Sequence, residues 1–127
     1  MDERFGKAYK LCNKKIIAEL FKSAKSVYSH PLKIIYLNRK LKTEKAFQIA
    51  IAVPKRNFKK APHRNKIRRR IKEAVRKNKT PLEKALINDK KQLALFLIYL
   101  DKQTVGYSDI EKKIVFLFDR LIKEVKK

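Results

Sequence analysis

Between Lys55 and Lys79 the chain reads KRNFKKAPHRNKIRRRIKEAVRKNK, and this stretch restricts the possible folds more than any other. More than half of its residues are Lys or Arg, and Glu73 is its only acid. From Arg64 onward, Ile67, Ile71, Ala74 and Val75 recur at helical spacing and make a single apolar stripe. At about 100° per residue, Asn65, Arg68, Arg69, Lys72 and Arg76 fall on the side away from that stripe. Lys66, Arg70 and Lys77 lie on a flank. Only the stripe can pack against the body of a protein, so the helix presents a rod of positive charge outward. Repulsion between Arg68 and Lys72, and between Lys72 and Arg76, costs an isolated helix about 0.2–0.5 kcal/mol per pair. A polyanion lying against the helix would offset it. The plainer alternative is a solvated charged face, but such faces interleave both signs and this one does not.

The whole chain shares this bias. A formal charge of +23 on 127 residues implies a polyanionic partner and a steep dependence of binding on salt. Hydrophobic residues make up 44% of the chain, enough for one globular core across residues 1–127 even with 37% charged residues. The longest apolar run, around Leu93 to Leu100, is far shorter than the ~18 residues of a membrane span. The first residues, MDERFGKAYK, lack the apolar centre of a signal peptide. Cys12 has no second cysteine to pair with, which fits a reducing, cytoplasmic location.

Read in order, residues 1–10 form a flexible basic arm whose Phe5 and Tyr9 either stack on unpaired bases or tuck onto the core. Asn13 caps a helix over Lys14 to Lys22, with Ile16, Ile17, Leu20 and Phe21 as its buried stripe. A short strand at Ser26 to Tyr28 precedes a firmer one at Leu32 to Asn38, and Asn38 to Lys45 reads as a long hairpin loop. In the next strand Phe47, Ile49, Ile51 and Val53 share one face, while Gln48, Ala50 and Ala52 share the other. A row that small is either one wall of a groove or the seat of a closely packed helix. After the basic helix, Thr80, Pro81 and Glu83 signal a short helix with Thr80 as its cap. Gln92 to Leu100 is apolar on both faces and belongs in a sheet interior. Ser108 and Glu111 form a second capping box, before an amphipathic helix from Asp109 to Lys126. The fold class is α+β: a single-domain α/β sandwich of order α-β-β-(β)-α-β-α, containing a β-α-β crossover.

Independent catalysis finds little support. His30 lies in a turn and His63 at the mouth of the basic helix, where it could hydrogen-bond RNA. The carboxylates are scattered, and no metal-ligand spacing, cysteine pair or glycine-rich phosphate loop occurs. A two-metal nuclease would need clustered carboxylates. The expected assignments are therefore no catalytic residue, no metal ligand and no cofactor bound by the chain itself. Two binding surfaces remain. Lys55, Arg56, Lys59, Lys60, Arg64, Asn65, Lys66, Arg68, Arg69, Lys72 and Arg76 would grip phosphate backbones. Ile17, Phe21, Tyr36, Ala50 and Ala52 would line a cleft for an unpaired strand.

The segment Arg64-Asn65-Lys66-Ile67-Arg68-Arg69, followed by Ile71-Lys72-Glu73, resembles the "RNR" motif of the bacterial ribonuclease P protein component. Ala52-Val53-Pro54-Lys55-Arg56 is similar to the strand end before that motif, and Leu11 through Ile17 to Phe21 to the start of the family. Lys66 and Lys72 depart from the usual Arg, which keeps charge but loses the bidentate fork, and Arg70 stands at an often apolar position. The resemblance implies the protein subunit of an RNA-based enzyme that removes the 5′ leader from precursor tRNA. In that family the RNA performs the Mg2+-dependent hydrolysis, the basic motif faces the catalytic RNA, and the leader lies in a central cleft. It further implies a left-handed crossover, no DNA partner and no membrane. Asn65 then suggests a specific hydrogen bond, or else support for the first helical turn. The rival readings are a structural ribosomal-type RNA-binding protein and a free-standing nuclease.

Overall fold

The structure, a computed structural model, describes residues 7–126. Its elements are α1 (Lys14–Ser23), β1 (Lys25–Ser29), β2 (Leu32–Asn38), β3 (Phe47–Ala52), α2 (Ala61–Asn78), α3 (Thr80–Asn88), β4 (Leu93–Tyr99) and α4 (Tyr107–Val125). The four strands make one mixed sheet in the order β1-β2-β4-β3. β1 and β2 are antiparallel, β2 and β4 antiparallel, and β3 and β4 parallel, so α2 and α3 form the crossover between neighbouring parallel strands.

This order corrects the reading of residues 38–45 as a hairpin loop, because β4 inserts between β2 and β3. The loop is fastened instead by one side chain. The Gln92 amide accepts from the Leu41 N–H at 2.8 Å and donates to the carbonyls of Thr43 at 3.0 Å and Lys45 at 2.8 Å. Leu41 is buried beneath it, and the Arg39 guanidinium pairs with Glu19 on α1.

Each sheet face has its own core. On one face Leu32, Ile34, Phe47, Ile49, Leu95, Leu97 and Tyr99 meet Ile67, Ile71, Ala74 and Val75 of α2, Leu82 and Leu86 of α3, and the stripe of α4. All four stripe residues of α2 are fully buried, as their spacing required. On the other face Leu11, Ile16, Leu20, Leu41 and Ala94 form a smaller cluster beneath α1. α1 lies over β2 and β4. Ala50 and Ala52 of β3, and Phe96 and Ile98 of β4, are left half-buried, so β4 is covered fully on one face only.

Several local expectations need revision. The Asn13 cap is present, its Oδ1 accepting from Lys15 N–H at 3.0 Å and Ile16 N–H at 3.3 Å. α2, however, begins at Ala61, with Pro62 in its first turn where a missing N–H costs nothing. Thr80 and Ser108 are not caps. Each already lies inside its helix, after Lys79 and Gly106 respectively, and neither of these makes a side-chain cap bond. Glu111 is drawn away from the helix start by the Asn78 amide and the Tyr107 hydroxyl, each at 3.0 Å. These two donors, Asn78 first, hold its carboxyl below the usual range. At the end of α3 Lys90 takes a left-handed conformation (φ 55), while the N–H of Lys91 closes onto the Leu86 carbonyl at 2.9 Å.

The described part of the basic arm, residues 7–10, is docked on the edge of β3. Lys7–Tyr9 is a 3₁₀ turn, and Lys10 bridges Ile49 on the edge of β3. Leu11 N–H donates to Ile49 O at 3.1 Å, and the Gln48 amide donates to Ala8 O at 3.0 Å. Tyr9 is buried against Phe47, with ring centroids 5.4 Å apart, so it tucks onto the core instead of offering a stacking surface. Phe5 and the rest of residues 1–6 lie outside the described residues.

Candidate RNA interface

The basic surface is built in two parts, a loop and a helix. β3 is an edge strand, and Pro54 ends it. The next residues form a loop anchored by Phe58, which is buried against Tyr99 with centroids 5.9 Å apart. That anchor leaves Lys55, Arg56, Lys59 and Lys60 exposed around it. Sequence reading passed over Phe58, although a lone aromatic in a cationic loop was the available signal.

The side chains expected on the outer face of α2 divide into two groups. Asn65, Lys66, Arg69 and Lys72 are exposed, as is His63. Arg64 is half-buried and donates through Nη1 to the carbonyls of Phe58 at 2.6 Å and Lys59 at 3.2 Å, clasping the loop to the helix. Arg68 is half-buried and donates to Asn65 Oδ1 at 3.3 Å. Asn65 is the fifth residue of α2, so its oxygen holds the Arg68 side chain one turn on rather than supporting the first helical turn.

Arg76 is paired within the helix. Its Nη2 and Nε bond Glu73 at 2.6 and 3.1 Å in a two-point pair, which offsets the local charge and moves it out of the set of open cations. The Arg76 bond, first among its causes, holds the Glu73 carboxyl below the ordinary range. Arg70 is likewise committed, donating to the Val105 carbonyl ahead of α4 at 2.8 Å.

The Arg64 clasp changes what an alanine substitution there should do. Arg64→Ala is expected to cost about 1.5–3 kcal/mol through loss of charge-assisted bonds to two carbonyls, and to loosen residues 54–60. Arg69→Ala should leave stability within about 0.5 kcal/mol of the parent. Chemical denaturation of the two variants side by side checks the contrast, and equal midpoints would remove the clasp.

The second surface lies on the half-covered sheet face. Ile17 and Ala50 pack against the small cluster there, beside Phe96. Phe21 was expected to be buried but is 59% exposed, its ring edge-on to Phe96 at 5.0 Å. Ala52 pairs with Ile98, one step along the same face. Tyr36 does not belong to this set. Along β2 it alternates with Ile35 and Leu37 and points into the opposite core, beside Glu124 and Val125 of α4. Burial, then the Glu124 carboxylate, raise its hydroxyl above the usual range. Ile35 takes its place, lying level with Phe96 and Ala50 across the sheet.

Among the described residues no group of three or more His, Cys, Asp or Glu is placed to hold a metal ion. No described helix is long and apolar enough to cross a membrane. What the arrangement offers is charge, aromatic surface and shape. An open cationic loop and helix adjoin a half-open apolar sheet face across the edge strand β3.

Comparison with known proteins bears on this arrangement. A sequence model of the family described as Ribonuclease P matches residues 5–122. The fold is similar to that of the Staphylococcus aureus RNase P protein, with TM-score 0.71 and 20% identity over 91% of this chain and 96% of the other. It is also similar to the RNase P protein from Thermotoga maritima, with TM-score 0.70 and 21% identity over 87% of this chain and 96% of the other. No curated protein matches the sequence.

Proposed function

Since the chain belongs to the ribonuclease P protein family, we propose that it is the protein subunit of ribonuclease P and assists a catalytic RNA in removing the 5′ leader from precursor tRNA. The observation that carries this reading is the pairing of two unlike surfaces. One is a stretch of exposed cations, Lys55, Arg56, Lys59, Lys60, Lys66, Arg69 and Lys72, none of them ion-paired among the described residues. The other is the open face of Ile17, Phe21, Ala50, Ala52 and Phe96. A folded RNA presents dense phosphates to the first, and an unpaired strand stacks its bases on the second.

The mechanism is neutralisation and positioning. Catalytic RNA and precursor repel one another, and a cationic wedge between them lowers that repulsion. Asn65 adds an uncharged donor, which can recognise a particular acceptor where a lysine only attracts charge. Arg64 and Arg68 hold the loop and the first turns of α2 in shape, with their remaining N–H groups turned to phosphate. A leader held on the sheet face adds affinity that the leaderless product lacks, so substrate is favoured over product. Bond cleavage belongs to the RNA subunit, which supplies Mg2+-dependent hydrolysis when the complex assembles. The chain's own part is to bind, to orient and to screen charge. The cell compartment is that of the RNA, the cytoplasm.

One assay tests this. Precursor tRNA is incubated at low Mg2+ with the protein alone, with a bacterial ribonuclease P RNA alone, and with both. The expected result is cleavage at the mature 5′ end in the combined reaction, well above that of the RNA alone, and none with the protein alone. Cutting by the protein alone would establish a nuclease, and absence of stimulation would sink the subunit reading.

A further inference from the structure

The open sheet face does not stop at the cleft residues. Side chains at paired positions of a sheet share a face, so the registers define rows across it. One row runs Ser26, Ile35, Phe96 and Ala50, and the next runs Tyr28, Lys33, Ile98 and Ala52. In this second row Tyr28 is 49% exposed, and Lys33, Ile98 and Ala52 are half-buried. β1 forms the outer edge of the sheet, so Tyr28 extends the aromatic surface of Phe21 and Phe96 past the region covered by α1.

Tyr28 is also held. Its hydroxyl shares a hydrogen bond with His30 Nδ1 at 3.2 Å, and His30 Nε2 lies 3.1 Å from Asp101 Oδ2. The two rings stand nearly perpendicular, with centroids 6.5 Å apart. Asp101 is itself fixed, its other oxygen accepting from the Gln103 N–H at 3.0 Å. That bond, then His30, hold its carboxyl below the ordinary range. The relay joins the β1–β2 turn to the loop after β4, and its three side chains are partly exposed rather than buried in a core. A packing role does not account for a tyrosine that turns half its surface to water while its hydroxyl is tethered.

Resting on the functional reading above, we propose that Tyr28 is a stacking platform for one further base of the single-stranded leader, beyond those over Phe21 and Phe96. His30 and Asp101 position its ring, and Lys33 meets the adjoining phosphate. Charge complementarity selects the occupant. Lys33 lies in the same row, the whole chain carries +23, and His30 covers the Asp101 carboxylate. An aromatic ring beside a lysine suits an unpaired nucleotide of any sequence.

The test uses the protein assembled with its catalytic RNA. Affinity is measured for precursors whose leaders are shortened one nucleotide at a time, and for leaderless tRNA. Tyr28→Ala is expected to weaken binding of long-leader precursors by about 5- to 150-fold, the range for loss of one base–aromatic stack. It should leave leaderless tRNA unaffected, and the loss should vanish below one leader length. Tyr28→Phe keeps the ring and should restore most of the affinity. His30→Ala, which frees the ring, should fall between the two. A penalty of equal size at every leader length, leaderless tRNA included, would make Tyr28 merely structural or part of another interface. No penalty at all would remove it from the site. If the unmodified assembly showed no preference for a leader, the functional reading itself would fail, which is a separate result.

Discussion

Replacing Glu83 by Gln should destabilise this protein more than any other single change of similar size, by about 3–5 kcal/mol. The reason lies at the junction of α2 and α3, where Lys79 is 1% exposed and Glu83 is 7% exposed. The Lys79 ammonium bonds Glu83 Oε1 at 3.0 Å, and the Tyr9 hydroxyl donates to Glu83 Oε2 at 2.8 Å. The same ammonium lies 5.1 Å from the centroid of the Tyr9 ring. Glutamine preserves size and an acceptor for Tyr9 but removes the negative charge that lies against the buried Lys79 ammonium. For a chain of this length the cost corresponds to a fall in Tm on the order of 10–20 °C. A second variant separates the pair from the shape of the site. Glu83→Gln combined with Lys79→Met removes both charges, and should recover a large part of the loss because a methionine is cheap to bury there. Thermal unfolding of both variants decides the matter. A Glu83→Gln melt within a few degrees of the parent would show that the pair contributes little. Failure of the double variant to recover would shift the cost from charge to packing.

That pair also marks where sequence reading stops. The helices, their stripes and the strands Leu32–Asn38 and Phe47–Ala52 are set by local patterns: spacing, a capping Asn13, and Pro54 at a strand end. Those patterns were legible. Lys79, by contrast, closes the most basic stretch of the chain and reads as one more surface cation. Its burial depends on Glu83 one turn later and on Tyr9 from the opposite end of the chain, a coincidence no window of sequence contains. Strand order was hidden for a related reason. A hairpin between β2 and β3 and an insertion of β4 between them use the same strands, and long-range pairing chooses between them.

Three placements differ from the sequence reading, each with a cause: Tyr36 and Arg76 in the candidate interface, and Phe21 in the expected buried stripe of α1. Tyr36 was placed in the cleft because Leu32–Asn38 is apolar on both faces, so its alternation carries no sign. Ile35 occupies the position instead. Phe21 was counted as core because helical spacing cannot tell that α1 lies over β2 and β4 in such a way that Phe21 stays 59% exposed. Arg76 was counted as an open cation although Glu73 stands three residues before it, a spacing that brings side chains together on a helix. That last signal was present in the sequence. Tyr28, His30 and Asp101 were out of reach, since Asp101 follows a strand that had yet to be placed beside β2.

The largest functional loss should follow from removing three cations together, Lys66→Ala, Arg69→Ala and Lys72→Ala. All three side chains are exposed on α2, and no acid among the described residues pairs with any of them. The variant should therefore fold as the parent does, or slightly better, since repulsion along the helix is relieved. Binding to the catalytic RNA should behave differently. Each phosphate neutralised contributes about 0.7–0.9 to the slope of log K against log salt, so three lost contacts lower that slope by about 2–3. By the same relation, affinity near 0.1 M salt falls about 100-fold. A matched variant isolates position from net charge: Lys112→Ala, Arg120→Ala and Lys123→Ala remove as many exposed cations from α4. Its slope should stay close to that of the parent, because charges beyond a Debye length of about 10 Å from the RNA are largely screened. Equal loss of slope in the two triples would mean that the protein attracts RNA by its total charge, and that the outer face of α2 is no more an interface than any other basic surface.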